Sequence, residues 1–595
     1  MAVLTLKNLP PEIISTVCSH LPNRDIKNLR LTNRGVCSTA RLRLDRVFLS
    51  PNPCNIDVLK AVADHPVFSK AIAEIIWDDA RLVNGPQGGD SNDEDNEWDD
   101  GSEPEDDPPE GCPAWYARAC RDNNEWIEIR VGDDIPRPSQ VSRMRQVEEQ
   151  MPLNLAWEYY EQLLLQQEEI LQSEADIKAL HYGLERFPSL KRITITPAVH
   201  GLLYEPAYET PMIRSSPYGF NYPIPRTWPL GDYGGPVGGD PFELPPWNET
   251  DQSPYRGFNC VLRELATNEH HVSEFVIDVC TLRTGINYRI FDDPSCVQYQ
   301  QLTKLLRRPG FRRLDLHLNA DGDYWRNWTC LRDDHLHRAL SEAKDLRHFT
   351  FDAFHDDMQY DQCVDRGTPE SRAVFTPLRT FLPLDRWERL QHLGLSNLLV
   401  RQDDLLSAVN ELPSTLTSLE LSFLTFLDGG SYHGFFEDLR QSSSWRARSP
   451  RPKIITNHRK DETYRYFHVE DQAYEFLYNE GENPFSVPPS YRWTPLQLDG
   501  GILRDPFDPE HDRPYTHDAN LMRLGIIKGQ DSMIETYEWL QRRKQEGKIM
   551  QILADTGAKA YTDTDAAVKY LTYGNQSWVS YDDAETFAVK IEYAE

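Results

Sequence analysis

Residues 9–14 read Leu9-Pro10-Pro11-Glu12-Ile13-Ile14 and predict the start of a helix. Proline is tolerated in a first helical turn, because the amide groups there have no acceptor inside the helix. Apolar side chains then recur at helical spacing at Ile13, Ile14, Val17 and Leu21, and Pro22 ends the pattern. The stretch therefore predicts a short N-terminal helix with one apolar stripe.

Two further short helices are predicted after Pro22. Asn23 and Asn33 are suitable N-caps, since an asparagine side chain accepts a hydrogen bond from the first helical turn. The apolar residues that follow these caps are Ile26, Leu29 and Leu31, and then Val36, Cys37, Ala40 and Leu44. Helices this short are unstable alone in water, so their apolar stripes must be buried. The pattern leaves two readings open: a small bundle folded on its own core, or one that also meets another protein.

The spacing of these residues carries a resemblance. The segment contains Leu9-Pro10-x-Glu12-Ile13, Leu21-Pro22, Asp25-Ile26-x-x-Leu29-Arg30-Leu31, Arg34, Ala40 and Phe48. This arrangement resembles an F-box of the kind that opens many fungal proteins. The F-box family docks on a Skp-type adaptor of a cullin–RING ubiquitin ligase. The resemblance implies an adaptor-binding set of Leu9, Pro10, Ile13, Leu21, Ile26, Leu29 and Leu31. Gly35-Val36 departs from the family, which often has a bulky aromatic residue nearby.

Length and charge limit the remaining possibilities. A chain of 595 residues is too long for a single core and predicts several domains or a repeat array. The net charge is −31, which argues against general nucleic-acid binding. We find neither a membrane-length apolar run nor a signal peptide, and the ten cysteines contain no C-x-x-C pair. The predicted location is therefore the cytoplasm or the nucleus, with no nucleic-acid or membrane partner.

Composition also sets the predicted domain boundaries. The F-box covers residues 1–50, connecting helices cover 51–84, and an acidic segment covers 85–112. The acidic segment should be a disordered linker, because no Lys or Arg lies between Arg81 and Arg118. The alternative is a tail that meets a basic partner. Residues 113–510 are predicted to form the body, and residues 511–595 a C-terminal extension.

The body contains a recurring apolar unit with residues at relative positions 0, +3 and +5. It occurs as Leu190-x-x-Ile193-x-Ile195, Val272-x-x-Phe275-x-Ile277, Phe311-x-x-Leu314-x-Leu316, Leu346-x-x-Phe349-x-Phe351, Leu390-x-x-Leu393-x-Leu395 and Leu416-x-x-Leu419-x-Leu421. This spacing is typical of the strands of leucine-rich repeats, although the units are irregularly spaced. The predicted class is α/β, with the three-helix F-box followed by an irregular leucine-rich-repeat-like solenoid. A conventional βα domain, with both strand faces buried, is the alternative.

Polar residues between the apolar positions should project from the concave side of such a solenoid. The predicted target-binding residues are Arg192, Glu274, Asp278, Arg313, Asp315, His317, His348, Asp352, His392 and Glu420. This face would suit a protein or peptide target, or would simply be solvated. Residues 197–257 interrupt the units with Pro, Gly and aromatic residues. They are expected to form a lid over the solenoid or to cover one of its flanks.

Residues 551–595 carry a second resemblance. They contain Asp555-Thr556-Gly557-Ala558 and Trp578-Val579-Ser580-Tyr581-Asp582-Asp583, which resemble the end of a fungal chitinase-type glycoside hydrolase. In that family such a stretch forms late elements of a TIM barrel. The family's Asp-x-x-Asp-x-Asp-x-Glu motif is missing from the sequence, so we expect a non-catalytic fragment.

The sequence predicts no catalytic residue, cofactor or metal. His270-His271 and His335-x-His337 lack a third ligand at metal spacing, and no phosphate-binding loop is present. The predicted function is that of a substrate receptor, which joins a Skp-type adaptor to an unknown protein target. The alternatives are a non-catalytic leucine-rich-repeat scaffold and a glycosidase-related fusion protein.

Overall fold

The structure is a computed structural model. It describes residues 10–21, 23–85, 111–132, 138–230, 244–320, 328–354, 375–427, 429–459, 465–485, 502–507, 513–514, 559–563, 568–573 and 577–581. Most of the predicted acidic linker therefore lies outside the described residues. The chain divides into one unit of Met1–Ile127 with Gln146–Tyr515 and a second unit of Glu128–Arg145 with Thr516–Glu595.

Helices and strands both contribute to the first unit. The helices are α1 (Pro11–Ser19), α2 (Asn23–Thr32), α3 (Arg34–Thr39), α4 (Pro53–Asp64), α5 (Ala114–Gly132, which ends in the second unit), α6 (Pro138–Glu148, which begins in the second unit), α7 (Leu153–Ser173), α8 (Ala175–Arg186), α9 (Pro211–Ser215), α10 (Arg256–Thr267), α11 (Val297–Leu306), α12 (Thr329–Arg332), α13 (His335–Ser341), α14 (Leu378–Phe381), α15 (Gln402–Glu411), α16 (Tyr432–Gln441), α17 (Ser443–Arg446) and α18 (Asp471–Tyr478). Short 3₁₀ turns lie at Tyr288–Phe291 and Leu384–Arg386.

The strands of this unit form one large sheet and one small pair. They are β1 (Arg46–Leu49), β2 (Glu74–Asp78), β3 (Arg192–Thr196), β4 (Glu274–Ile277), β5 (Ile286–Asn287), β6 (Arg313–Asn319), β7 (His348–Phe354), β8 (His392–Ser396), β9 (Leu399–Val400), β10 (Ser418–Ser422), β11 (Thr425–Phe426), β12 (Lys453–Arg459), β13 (Tyr466–Val469), β14 (Ile502–Arg504) and β15 (Arg513–Pro514). The large sheet has the order β1-β2-β3-β4-β6-β7-β8-β10-β12-β13-β14-β15, with β5 beside β6, and β9 pairs with β11. Strands β1 to β12 of this path pair in parallel, and β12 to β15 pair antiparallel. The fold class is therefore α/β, as predicted, and the sheet is largely parallel.

One face of the sheet packs on the helices. An in-register row of apolar side chains crosses this face, and the row runs through Val47, Ile75, Ile193, Phe275, Leu314, Phe349, Leu393, Leu419 and Ile454. All of these residues are buried in the main hydrophobic core. Neighbouring helices pack side by side, from α4 and α8 to α16 and α18. Burial of the apolar side chains on this face is the main force that holds strands to helices.

Strands occur where the 0, +3, +5 spacing predicted them, at β3, β4, β6, β7, β8 and β10. The prediction of helices throughout 51–84 is wrong beyond Asp64, because Glu74–Asp78 is a strand. A short apolar run such as Ile75-Ile76-Trp77 fits helix and strand periods equally well. The end of the predicted F-box segment also differs, since Arg46–Leu49 is the first strand of the sheet. Both strands share the unit's spacing, in Leu44-x-x-Val47-x-Leu49 and Ile72-x-x-Ile75-x-Trp77.

Several aromatic side chains of the insertion 197–257 belong to the hydrophobic interior. Its aromatic side chains Trp228, Trp247 and Tyr255 lie in the main core, and Phe220 and Tyr222 lie in a second core beside α5 and α7. Asp79 anchors it, because its carboxylate accepts hydrogen bonds from Trp228 Nε1 at 2.9 Å and from the Gly257 amide at 2.8 Å. These aromatic residues therefore pack in the same two cores as the helices and strands.

The second unit contains a small antiparallel sheet. Strands β16 (Lys559–Asp563), β17 (Val568–Tyr573) and β18 (Ser577–Tyr581) pair in sequence order. In the parts of both units that the structure describes, no helix is long and apolar enough to cross a membrane.

Strand β12 of the large sheet contains a buried, uncharged histidine, His458. The His458 ring centroid lies 4.5 Å from that of Tyr432 and 5.3 Å from that of Phe485, and its Nε2 has no hydrogen-bond partner among the residues that the structure describes. Burial lowers the pKa of His458 to about 3. The unfolded chain binds this proton below about pH 6.5, and the folded chain does not. The folded protein therefore loses stability as the pH falls below about 6.5, the pKa of the histidine in the unfolded chain.

We predict that His458→Leu reduces the acid sensitivity of the fold. Between pH 7 and pH 5 the free energy of unfolding should fall by about 2 kcal/mol less in the variant than in the wild type. Urea unfolding followed by tryptophan fluorescence measures this difference. Val469→Ala, which removes buried methyl groups from the neighbouring strand without changing a titrating group, should keep the wild-type pH dependence. Equal pH dependence in His458→Leu and wild type would contradict the assignment.

Candidate functional site

The N-terminal helices have a small core of their own. Its buried residues are Ile14, Cys18, Ile26, Val36 and Ala40, with Leu21, Leu29 and Leu42 packed against them. The Asn33 side chain caps α3 by accepting from the Gly35 amide at 2.7 Å. Arg43, which follows α3, connects this end of the bundle to the end of α1, because its guanidinium donates hydrogen bonds to the carbonyls of Ser19 and Leu21.

The predicted adaptor-binding residues separate into exposed and internal groups. Pro10, Ile13 and Leu31 are exposed, and Ile13 and Leu31 have exposed fractions of 47% and 85%. Ile26 is fully buried in the small core, and Leu21 and Leu29 are half-buried against it. Leu9 lies outside the described residues. Half of the described set therefore supports the bundle, and the other half forms its apolar surface.

Sequence reasoning missed one member of this surface. Val17 is 40% exposed on α1, one helical turn after Ile13. Residues four positions apart lie on the same face of a helix, which is the signal that pairs Val17 with Ile13. Pro10, Ile13 and Val17, at the start and on one face of α1, and Leu31, exposed near the end of α2, are together called the apolar patch below.

The predicted target-binding residues lie together on the face of the sheet opposite the main apolar row, and this is called the polar face below. The first row across the strands is Arg46, Glu74, Arg192, Glu274, Arg313, His348, His392, Ser418 and Lys453. The second row includes Asp315 and Glu420, and the third includes Asp278, His317 and Asp352. Arg46 and Glu74 were missed because their strands were not predicted.

Opposite charges alternate along the start of the first row. Arg192 donates to Glu274 across a 2.6 Å ion pair, and its Nη1 lies 3.9 Å from Glu74. Arg46 approaches Glu74 from the other side, at 3.7 Å. Adjacent strands are about 4.8 Å apart, so alternating charges on neighbouring strands pair directly. The row therefore satisfies much of its own charge.

Asp315 organises the middle of the polar face. Its carboxylate accepts hydrogen bonds from Arg313 Nε at 3.1 Å, and His348 Nε2 lies 3.3 Å away. Burial alone would raise the pKa of Asp315, but the bonds from His348 and Arg313 outweigh it and hold the pKa at about 2. The His348 ring stacks on that of His392, with centroids 4.0 Å apart. Burial and the neighbouring His348 lower the pKa of His392 to about 3.

A chain of hydrogen bonds crosses the far end of the polar face. Glu420 Oε1 accepts from Ser422 Oγ and from Asn457 Nδ2, each at 2.9 Å. Asn457 Oδ1 in turn meets His468 Nδ1 at 2.8 Å. Burial raises the pKa of Glu420 despite the bond from Ser422. Asn457 and His468 were missed, because β12 and β13 lack the recurring apolar spacing.

The insertion also reaches the polar face. Tyr208 Oη donates to Asp278 Oδ2 at 2.6 Å, and its ring lies 6.2 Å from that of Phe48. Asp278 additionally accepts from the Cys280 amide at 3.0 Å. This part of the predicted target-binding set is therefore occupied by the chain itself.

The chemistry available on the polar face is hydrogen bonding and ion pairing. Among the residues that the structure describes, no group of three or more His, Cys, Asp or Glu side chains is arranged to hold a metal ion. The chain matches no protein-family model and no curated protein sequence. The apolar patch and the polar face are therefore the surfaces that bear on function.

We predict that Asp315→Asn destabilises the fold in a pH-dependent way. Because the folded carboxyl ionises more readily than the unfolded one, it adds stability above about pH 4 that is lost as the pH falls through 2. The variant should lose about 2 kcal/mol of unfolding free energy at pH 7. The deficit should shrink as the pH approaches 2.

Urea unfolding at both pH values measures this loss, with Asp385→Asn as the matched control. The Asp385 side chain is 74% exposed and, among the described residues, forms its ion pair with the adjacent Arg386, so its replacement should change stability little. Equal losses in the two variants would contradict a structural role for the Asp315 cluster.

Proposed function

We propose that the protein is the substrate-recognition subunit, or F-box receptor, of a cullin–RING ubiquitin ligase. In this proposal the N-terminal helices bind a Skp-type adaptor and the body binds a protein target. The observation that carries the proposal is the apolar patch. Its side chains are exposed to solvent, although the bundle has a separate core of buried apolar residues. Ile13 and Val17 lie one helical turn apart on α1, and exposed apolar side chains that share a helix face form the kind of surface that marks sites of protein contact.

The arrangement of α1 and α2 supports this assignment. Ile14 and Cys18 turn inward to the small core, and Ile13 and Val17 turn outward on the same helix. The helix therefore has apolar residues on two sides, although its own core needs only one. Full burial of an Ile, Val or Leu side chain contributes about 1.5–3 kcal/mol, so a partner that covers the patch would gain several times that amount.

The body supports the second half of the proposal. Its parallel strands follow one another in chain order and carry polar side chains on one face, as expected for a leucine-rich-repeat-like solenoid. A receptor acts by holding a target near the ligase, so proximity supplies the rate gain and this chain needs no catalytic residue. The proposed location is the cytoplasm or the nucleus.

A non-catalytic leucine-rich-repeat scaffold is the second candidate. It is favoured by the many ion pairs and hydrogen bonds that residues of the polar face form with one another, since such a face needs no ligand to satisfy it. In that case the N-terminal helices would only cap the sheet. A glycosidase-related fusion is the third candidate and rests on the resemblance of residues 551–595 alone.

We predict that Ile13→Glu combined with Leu31→Glu abolishes adaptor binding without unfolding the helices. Both side chains are exposed, so their replacement should leave the small core intact, and a buried glutamate would oppose docking. Binding of a purified Skp-type adaptor to the full-length chain should weaken by at least about 100-fold. Isothermal titration calorimetry measures the affinity, and circular dichroism checks the helices.

Leu165→Glu is the matched control. Leu165 is 62% exposed on α7, outside the N-terminal bundle, and its replacement adds the same charge to an exposed leucine. The control should bind the adaptor as the wild type does. If the double variant also binds with unchanged affinity, the receptor proposal is wrong and the scaffold candidate replaces it.

A further inference from the structure

A row of side chains lies at the N-terminal edge of the parallel sheet, one residue before strands β3, β4, β6, β7, β8 and β10 begin. Each member after the first donates its backbone amide to the carbonyl of the member before it, at 2.7–2.8 Å. The row contains no acidic residue, and its members are Lys191, Ser273, Arg312, Arg347, Gln391 and Thr417. This group is called the entry row below.

Two arginines of the entry row are neighbours. Strands β6 and β7 pair in register, so Arg312 and Arg347 occupy equivalent positions with their backbones about 4.8 Å apart. Arg312 is exposed and Arg347 is half-buried. Among the residues that the structure describes, neither guanidinium donates a hydrogen bond or forms an ion pair. The two arginines therefore place free donors and positive charge side by side at this edge.

Carboxylates close to the entry row are paired with other cations. Asp345, two residues before Arg347, accepts from the guanidinium of Arg389 at 2.8 Å. Glu274 lies 3.7 Å from Lys191, but Arg192 holds the same carboxylate at 2.6 Å. The first row of the polar face thus balances much of its own charge, whereas the entry row beside it keeps an excess of positive charge.

Helix stabilisation does not explain these two arginines. Basic side chains interact favourably with a helix dipole when they lie in its last turn, and the effect falls off beyond that turn. Arg312 and Arg347 each follow the last helical residue, Leu306 of α11 and Ser341 of α13, by six positions. Their charges are therefore available to a partner.

We propose that the entry row binds an extended acidic segment of the protein target. The proposal rests on the receptor function proposed above and deepens it, since it names the chemistry of the target. Arg312 and Arg347 pair with Asp or Glu side chains of the segment, and the neutral members of the row donate hydrogen bonds to it. The net charge of −31 repels acidic chains from the rest of the surface, so binding at this row would be selective.

The spacing of the cations favours an extended segment over a single anion. Lys191, Arg312 and Arg347 span three strand spacings, about 14 Å. An extended chain advances about 3.3 Å per residue, so roughly five residues cover this distance. Their alternate side chains point the same way, and acidic residues at those positions would face the row.

Fluorescence polarisation with labelled peptides tests this preference. Full-length protein is titrated into a peptide with Asp-Glu-Asp-Glu-Asp between Gly-Ser flanks, and into its uncharged counterpart with Asn-Gln-Asn-Gln-Asn. The acidic peptide should bind at least about tenfold more tightly, and added salt should reduce the difference by screening the ion pairs. Arg312→Gln combined with Arg347→Gln should remove most of the difference, because glutamine keeps hydrogen-bond donors but has no charge.

Lys60→Gln combined with Arg214→Gln is the matched control, since it removes two positive charges from exposed side chains of α4 and α9, outside the entry row. It should keep the wild-type preference. The proposal is overturned if the wild type shows no preference, if the entry-row variant keeps it, or if the control loses it equally. Tighter binding of a peptide with a single phosphoserine between the same flanks also overturns it, because the row would then recognise a point anion. Adaptor binding by the same preparations is measured separately, so failure of the receptor function and failure of the entry row are distinguishable.

Discussion

In-register pairing of the parallel strands is the constraint on which the rest of the structure depends. Each strand from β1 to β12 on the main path meets the next without a shift, so equivalent positions line up in rows. One row is entirely apolar and buried against the helices. A slip of one residue would turn that row to the opposite face, which makes the register costly to change. The packing of the apolar row therefore also determines which polar side chains lie next to each other on the opposite face.

The same register explains why charges on the polar face meet in pairs. Arg46, Glu74, Arg192 and Glu274 occupy one position on successive strands, and their signs alternate. A slip of two residues would keep the same side chains on the buried face. It would place Glu74 opposite Thr194 or opposite a position before β3, so the ion pair with Arg192 would be lost. Opposite-charge cross-strand pairs contribute roughly 0.2–1 kcal/mol each, so they add to the choice of register without setting the fold.

The sequence predicted secondary structure correctly where the spacing of apolar residues fitted only one type of element. Leu390-x-x-Leu393-x-Leu395 predicts a strand because its spacing fits a repeat unit and no helix face, and β8 is found there. Ile72-x-x-Ile75-x-Trp77 has the same spacing but adjoins Ile76, and the extra apolar residue makes it resemble a helix. The polar face was predicted from its positions, but its internal pairing was not, because Asp278 meets Tyr208 from 70 residues away. Contacts between distant segments leave no local signal in one sequence.

The N-terminal helices illustrate a related limit. The motif names residues by position and does not separate those that hold the bundle from those that face a partner. Ile13 and Ile14 are adjacent, yet Ile14 is in the core and Ile13 is in solvent, since neighbouring helix positions point about 100° apart. Three short helices bury only a small core, and any surface they share with a partner must come from the remaining apolar positions. An apolar patch above a complete core is consequently a stronger argument for a docking function than the motif itself, because the fold of the bundle alone gives no reason to keep those side chains apolar.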